Sequence, residues 1–428
     1  MVQFLSFGLS LIASIILASS VDAATCVVAQ SSSDDSITIA KAFNDCKNGG
    51  TVSFPKGNTY YMKSVLKIEG LKSVTVNFNG QIVLPAFNKS FKGGNAYISI
   101  KGDHINFTGG GTINGNGQTW WDIKDTTAPT VLRIGATNSD FGNFNILNSP
   151  RAHMGMTNSN NVVLHNVFLK TVSANSNLPK NTDALDISSS KNIIFKDSNL
   201  FVGDDCTAIN GGVSNVTISN VHCTGGHGFS VGSLGKGGAT EFVTGVNVID
   251  SVCTNCQNGL RIKTWSGGKG AVTKVKFDNV QLINTDNPII VTTHYCDKNQ
   301  MSYCQKSDGK SLSISDVTIS RISGSASNAG KPIVNINCSS GSPCSGFSVS
   351  GITIKKAAKT PKNICTFLNN SNKNTPCNEM NNNDNCSNAP ILDWILKPET
   401  IEETNKPISP ELLSYLLTQD VNTSLITP

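Results

Sequence analysis

From Val74 onward one phrase keeps returning: an apolar residue, any residue, a second apolar residue, then Asn or Asp close behind. Val162/Leu164/Asn166, Ile193/Phe195/Asp197, Val216/Ile218/Asn220, Val246/Val248/Asp250 and Val275/Phe277/Asn279 follow it, and Val317/Ile319 and Ile352/Ile354 carry it on. Alternation marks a strand with its apolar side chains on one face. Asn and Asp suit the turn that follows, because they tolerate the left-handed region and bond their own backbone. The copies lie about 23 to 42 residues apart, as expected for coils of a solenoid with loops inserted between them. The pattern predicts an all-β fold, a right-handed parallel β-helix (solenoid) whose stacked coils lie about 4.8 Å apart.

Ser36 to Lys47 departs from that pattern. Ile39, Ala42, Phe43 and Cys46 recur at helical spacing, Asp34 or Asp35 can cap the start, and Gly49-Gly50 ends the run. A short N-terminal capping helix across the open first coil is expected, since a terminal repeat must cover exposed core. The strands then begin with the run Gly49 to Gly57.

The two ends read differently. Phe4 to Ala18 is mostly apolar, and Val21 and Ala23 make a cleavage site, so residues 1–23 are expected to be a secretory signal peptide. A membrane anchor would want about 20 apolar residues. Residues 24–378 form the expected solenoid. Residues 379–428 read as an extension of unassigned role, with an Asn/Asp run from Asn381 to Asn385. Ser409-Pro410 then starts a short amphipathic helix carrying Leu412, Leu413, Leu416 and Leu417.

Composition narrows the function classes. Only 15% of the 428 residues are charged, the net charge is +5, and no Lys/Arg cluster occurs. Nucleic acid and membrane are therefore not expected partners, while a polyanionic glycan is compatible with the mild positive excess. Thirteen cysteines behind a leader imply an oxidising compartment. Cys26–Cys46 brackets the helix, and Cys206–Cys223, Cys296–Cys304 and Cys338–Cys344 are expected bridges. Cys253–Cys256 is tight, and Cys365, Cys377 and Cys386 leave one thiol over. Sequons begin at Asn88, Asn106, Asn215, Asn337, Asn369, Asn385 and Asn422.

The chemistry gathers between Asn181 and Lys263. Asn181-Thr182-Asp183, Gly203-Asp204-Asp205, Gly226-His227-Gly228 and Arg261-Ile262-Lys263 lie there, and the first three are spaced by about one coil. Coils that stack would make these motifs neighbours on one face. Paired carboxylates can supply both an acid and a base, because like charges raise one pKa. Adjacent strand residues point to opposite faces, so Asp204 and Asp205 both reach a cleft only from a turn or bulge. Two cations flanking the inward Ile262 suit a carboxylate ligand. The histidines offer no metal-ligand spacing with Cys, and no cofactor or metal is expected. His104, His153, His165, His222 and His294 are expected to be structural.

In this order, the four motifs resemble those of the polygalacturonases, glycosidases that hydrolyse pectin. The resemblance runs from about Ala24 to Cys365 and extends to Tyr295; the Gly-Gly-His-Gly spelling at 225–228 looks fungal. It implies hydrolysis of α-1,4 links in de-esterified polygalacturonate with inversion, by a secreted, monomeric enzyme. Adjacency does not say which aspartate is the acid. The resemblance makes Asp204 the general acid, Asp183 and Asp205 the pair that activates water, and His227 the partner that orients the acid. Arg261, Lys263, Tyr295 and Asn181 would bind substrate. Endo action is expected from the central motifs, with exo action as the alternative if loops close one end of the cleft. A pectate lyase would need calcium and an Arg base, and a silent pectin-binding protein would have lost one of the aspartates.

Overall fold

A computed structural model describes residues 24–304 and 310–369. The expected leader, the whole C-terminal extension with its helix, Cys377 and Cys386 lie outside the described residues. Twenty-four strands pair in parallel as one wound sheet, a parallel β-helix. The repeated phrase is what stacks. Val162, Ile193, Val216, Val246, Val275 and Val317 are successive register partners, and so are Leu164, Phe195, Ile218, Val248, Phe277 and Ile319. All twelve are buried. Each such side chain contributes about 1.5–3 kcal/mol by leaving water, and a parallel ladder can repeat that gain coil after coil.

The turn residues do what the pattern predicts. Asn166, Asp197, Asn220, Asp250 and Asn279 all have φ between 48° and 54°. Their side chains continue the ladder: Asn220 Nδ2 donates to Asp197 Oδ1 at 2.8 Å and Asn279 Nδ2 to Asp250 Oδ1 at 2.6 Å.

Helix α1 (Asp35–Asp45) closes the first coil, with Asp34 as its N-cap. Its Ile39, Ala42 and Phe43 are buried against the coil end. A second short helix, α2 (Gln118–Asp122), is inserted after the Thr112–Asn114 strand and buries Trp120 and Trp121. The four expected bridges are present, and the tight Cys253–Cys256 bridge is present as well. Cys365 is also disulfide-bonded, so it is not the thiol left over. No described helix is long and apolar enough to cross a membrane.

Candidate active site

One face of the helix is lined by short strands, Leu185–Ser188, Thr207–Ile209, Phe229–Leu234, Asn258–Trp265 and Asn287–Tyr295, each paired with the next on successive coils. Asp183, Asp204, Asp205 and His227 lie just before three of these strands, while Arg261 and Lys263 lie within Asn258–Trp265. Asp204 and Asp205 occupy the bend between the Lys191–Phe201 and Thr207–Ile209 strands. The backbone therefore turns where both carboxyls must face outward. Inter-coil hydrogen bonds fix the alignment. Ala184 N–H donates to Asp205 O at 2.9 Å, and His227 N–H to Asp204 O at 2.8 Å.

The Gly-His-Gly spelling has a steric cause. A Cβ at Gly226 would come within 2.7 Å of Asp204 O and 2.9 Å of Cys206 Sγ. At Gly228, where φ is +88°, it would sit 2.3 Å from the carbonyl oxygens of Asn258 and Gly259. Only glycine lets the three coils approach this closely around His227.

His227 Nδ1 lies 3.0 Å from Asp204 Oδ1. Asp205 N–H donates to the same oxygen at 2.9 Å, and Asn181 Nδ2 makes a long contact to Asp204 Oδ2 at 3.5 Å. Asp205 is buried beneath them. Lys263 Nζ donates to its Oδ2 at 2.8 Å, and its Oδ1 accepts from Arg261 Nη2 and from Ser230 Oγ. Ser230 in turn accepts from Arg261 Nε at 2.9 Å. Arg261 and Lys263 are thus not free cations on an open face; their first partner is Asp205. Tyr295 completes this side. Its ring lies 5.3 Å from Lys263 Nζ and packs edge-on against Trp265 at 4.9 Å.

Electrostatics divides the aspartates. Burial, then the charges of Asp186, Asp204 and Asp205, hold Asp183 well above the usual carboxylate range. Burial also pushes Asp204 up, but the hydrogen bond and charge of His227, the charge of Lys263 and the Asp205 N–H outweigh it, and the net shift is downward. The surroundings therefore favour the protonated form at Asp183 and the ionised form at Asp204. The ligand atoms of Asp204, Asp205 and His227 lie within 4.8 Å of one another, close enough to hold a cation. Both Asp205 oxygens already face Arg261 and Lys263, so a divalent ion there would meet two positive charges at contact range. The other close group, Cys206, Cys223, Cys253 and Cys256, is two disulfides in contact, with Cys206 Sγ 3.8 Å from Cys253 Sγ.

The sequence profile of glycosyl hydrolases family 28 matches residues 46–377. The chain belongs to this family. Exopolygalacturonase rpg16 of Rhizopus delemar is 53% identical over 376 residues, covering 88% of this chain and 96% of that protein. An exopolygalacturonase of Cochliobolus carbonum is 33% identical, covering 78% and 80%. Among solved structures, an endo-xylogalacturonan hydrolase from Aspergillus tubingensis is 28% identical. It superposes with a TM-score of 0.73, covering 81% of this chain and 96% of that one. A polygalacturonase from Erwinia carotovora, 24% identical with a TM-score of 0.65, shares the fold.

Beside this candidate site, His153 is structural as expected, while Asp186 and Arg133 escaped the sequence reading. His153 is fully buried and supports Asp183: its Nδ1 lies 3.0 Å from Asp183 O, and its Nε2 is 2.8 Å from Thr171 Oγ1. Burial pulls its pKa down to about 4, so it is neutral, donating from Nδ1 to the carbonyl and accepting from Thr171 at Nε2. Asp186 stands three residues after Asp183, in the Leu185–Ser188 strand, and Arg133 lies two register steps away from Asp186. No local motif marks Arg133; the position of Asp186 three residues after Asp183, in the same run, is the signal that could have found Asp186.

Proposed function

We propose that this protein is a secreted exopolygalacturonase that hydrolyses α-1,4-galacturonosidic bonds of de-esterified polygalacturonate with inversion. The observation that carries the reading is the convergence of Asp183, Asp204, Asp205 and His227 at one point, with Arg261, Lys263 and Tyr295 beside them. The exo mode replaces the endo mode expected from the central motifs, because the curated relatives at 53% and 33% identity are named exopolygalacturonases. The loops support it too. The segment leading to Asp183 is tied to α2, with Gln118 Oε1 accepting from Ala174 N–H at 2.8 Å and Asn175 Nδ2 donating to Asp122 Oδ1 at 2.7 Å. On the other side, the Cys296–Cys304 loop sets Tyr303 against Trp265 and beneath Lys236.

Asp204 is the proposed general acid, held by His227, and Asp183 with Asp205 activates water. In the free site Asp204 is the ionised partner. A galacturonate carboxylate arriving at Arg261 and Lys263 offsets the positive charge that stabilises ionised Asp204. The proton held on Asp183 can then pass to Asp204 through the coupled cluster. Substrate binding thus sets the protonation pattern that inverting hydrolysis requires. Secretion is supported by the leader-like first 23 residues and the disulfides. Glycosylation is supported by the exposure of the sequon residues Asn88, Asn106, Asn215 and Asn369.

The test is the early product profile on polygalacturonate. Free galacturonate, or one short product of fixed size, is expected; a ladder of oligomers would instead mean endo action. Asp204→Asn should lower kcat by about 10²–10⁴-fold, the usual worth of a positioned acid. Unchanged activity in that variant would remove Asp204 from the mechanism.

A further inference from the structure

The outward column of the cleft floor runs Arg133, Gly155, Asp186, Ala208, Ser230, Arg261, each the register partner of the next. Small residues separate the charged ones, so this stretch of the column is a trough with a basic residue at each end and the Asp186 carboxyl between them. Arg133 is laid down into it. A Cβ at Gly155 would sit 3.3 Å from Arg133 Cζ and 3.4 Å from both terminal nitrogens, so its guanidinium rests on the bare backbone of Gly155. That places it one coil, about 4.8 Å, from Asp186. Its Nη1 donates to Thr157 Oγ1 at 3.0 Å, but its Nε is buried with no hydrogen-bond partner.

Arg151 adds a second cation, exposed at the rim. Its charge acts on both Asp186 and Arg133. Among the described residues neither arginine forms an ion pair with a carboxylate. Asp186 is the carboxyl on which both charges act, yet burial and then Asp205 push it up to about 7 against the pull of Arg151 and Arg133. Two like charges, one of them half-buried with an unused donor, thus face a carboxyl that is not fully ionised at neutral pH. A bound anion would relieve this arrangement, since a guanidinium binds a carboxylate in a two-pronged way.

We propose that Arg133 and Arg151 form a second uronate-binding subsite, across the aspartate cluster from Arg261 and Lys263, with Gly155 as the floor that seats Arg133. The proposal rests on the polygalacturonase reading, in which every sugar on either side of the broken bond carries a carboxylate. Arg261 and Lys263 are already engaged by Asp205, so the unpaired arginines supply the free positive charge for a second carboxylate.

The test compares kcat/KM on trigalacturonate and its methyl ester for the wild type, Arg133→Gln, Arg151→Gln and Gly155→Ala. Loss of a charge-assisted bond predicts a fall of about 10- to 100-fold for Arg133→Gln on the acid, carried mainly by KM, and a smaller fall for the exposed Arg151→Gln. The preference for acid over ester should narrow in both. Gly155→Ala keeps both arginines but fills the seat, so it should reproduce the Arg133→Gln effect with an unchanged urea midpoint. Wild-type kcat/KM and unchanged acid-over-ester preference in both arginine variants would overturn the subsite. If the wild type hydrolyses neither compound, the activity reading fails instead. Calorimetric titration of trigalacturonate onto wild type and Arg133→Gln then decides the subsite alone, equal affinity overturning it.

Discussion

Asp186 shows how far a single side chain's environment can set its chemistry. Its carboxyl titrates near 7 in the folded chain, against about 3.9 unfolded. The folded state therefore binds the proton more tightly, and stability is lost as pH rises from about 4 towards 7. Asp186→Asn removes the charge, so it should stabilise the protein at pH 7, by no more than about 4 kcal/mol at 1.36 kcal/mol per unit. The gain should vanish near pH 4, and urea unfolding at the two pH values checks it. A gain equal at both would mean that packing rather than charge is responsible. His153 acts in the opposite sense. Its pKa falls to about 4 on burial, so acid favours unfolding as pH drops through the range between about 6.5 and 4. The two groups oppose each other across mildly acidic pH, and both bear on Asp183, one through charge and one through its carbonyl.

The bends before the short strands form the next level of organisation. Asp205 is followed directly by Cys206, whose bridge to Cys223 ties the aspartate bend to the coil that delivers His227. That bridge closes a loop of 17 residues' separation and contributes about 3 kcal/mol by chain entropy. It also touches the Cys253–Cys256 bridge of the next coil. Replacing Cys206 and Cys223 together by Ala should lower the urea midpoint by a corresponding amount and reduce kcat more than it raises KM. The change loosens Asp204, the proposed acid, and His227 while leaving Arg261 and Lys263 in place. An unaltered kcat in the double variant would show that the stacked coils alone hold the geometry. The glycines flanking His227 belong to the same level, since they allow three coils to meet where any Cβ would collide with a carbonyl oxygen.

Across the whole molecule, the solenoid turns a linear repeat into a row of evenly spaced outward positions. A polymer of repeating charged sugars can be read by such a row, with cations spaced along it and carboxylates at the point of cleavage. The positive groups nearest the aspartates are Arg261 and Lys263, both bonded to Asp205, which disfavours a divalent ion at the same point. Hydrolysis of polygalacturonate should therefore be unaffected by a chelator. Activity lost with chelator and restored by calcium, with unsaturated product ends, would replace hydrolysis with elimination.

The repeated apolar-any-apolar-Asn phrase determined the coils, because side-chain alternation is local and αL turn residues are chosen by their own backbone. The capping helix and four of the disulfides were legible for similar reasons: helical spacing, a cap residue and nearby cysteines. The one-coil spacing of Asp183, Asp205 and His227 also located the site, since a stacked register converts sequence distance directly into proximity. The protonation pattern within that site was not legible. It depends on burial and on charges brought from other coils, so the sequence could not show that Asp183 is shifted up while Asp204 is shifted down. Nor could it show that Arg261 and Lys263 spend their donors on Asp205, or that Arg133 lies across Gly155. Those pairings join residues 22 to 58 positions apart. Only the tertiary structure decides them, because side-chain reach and dielectric are set by which coils lie side by side.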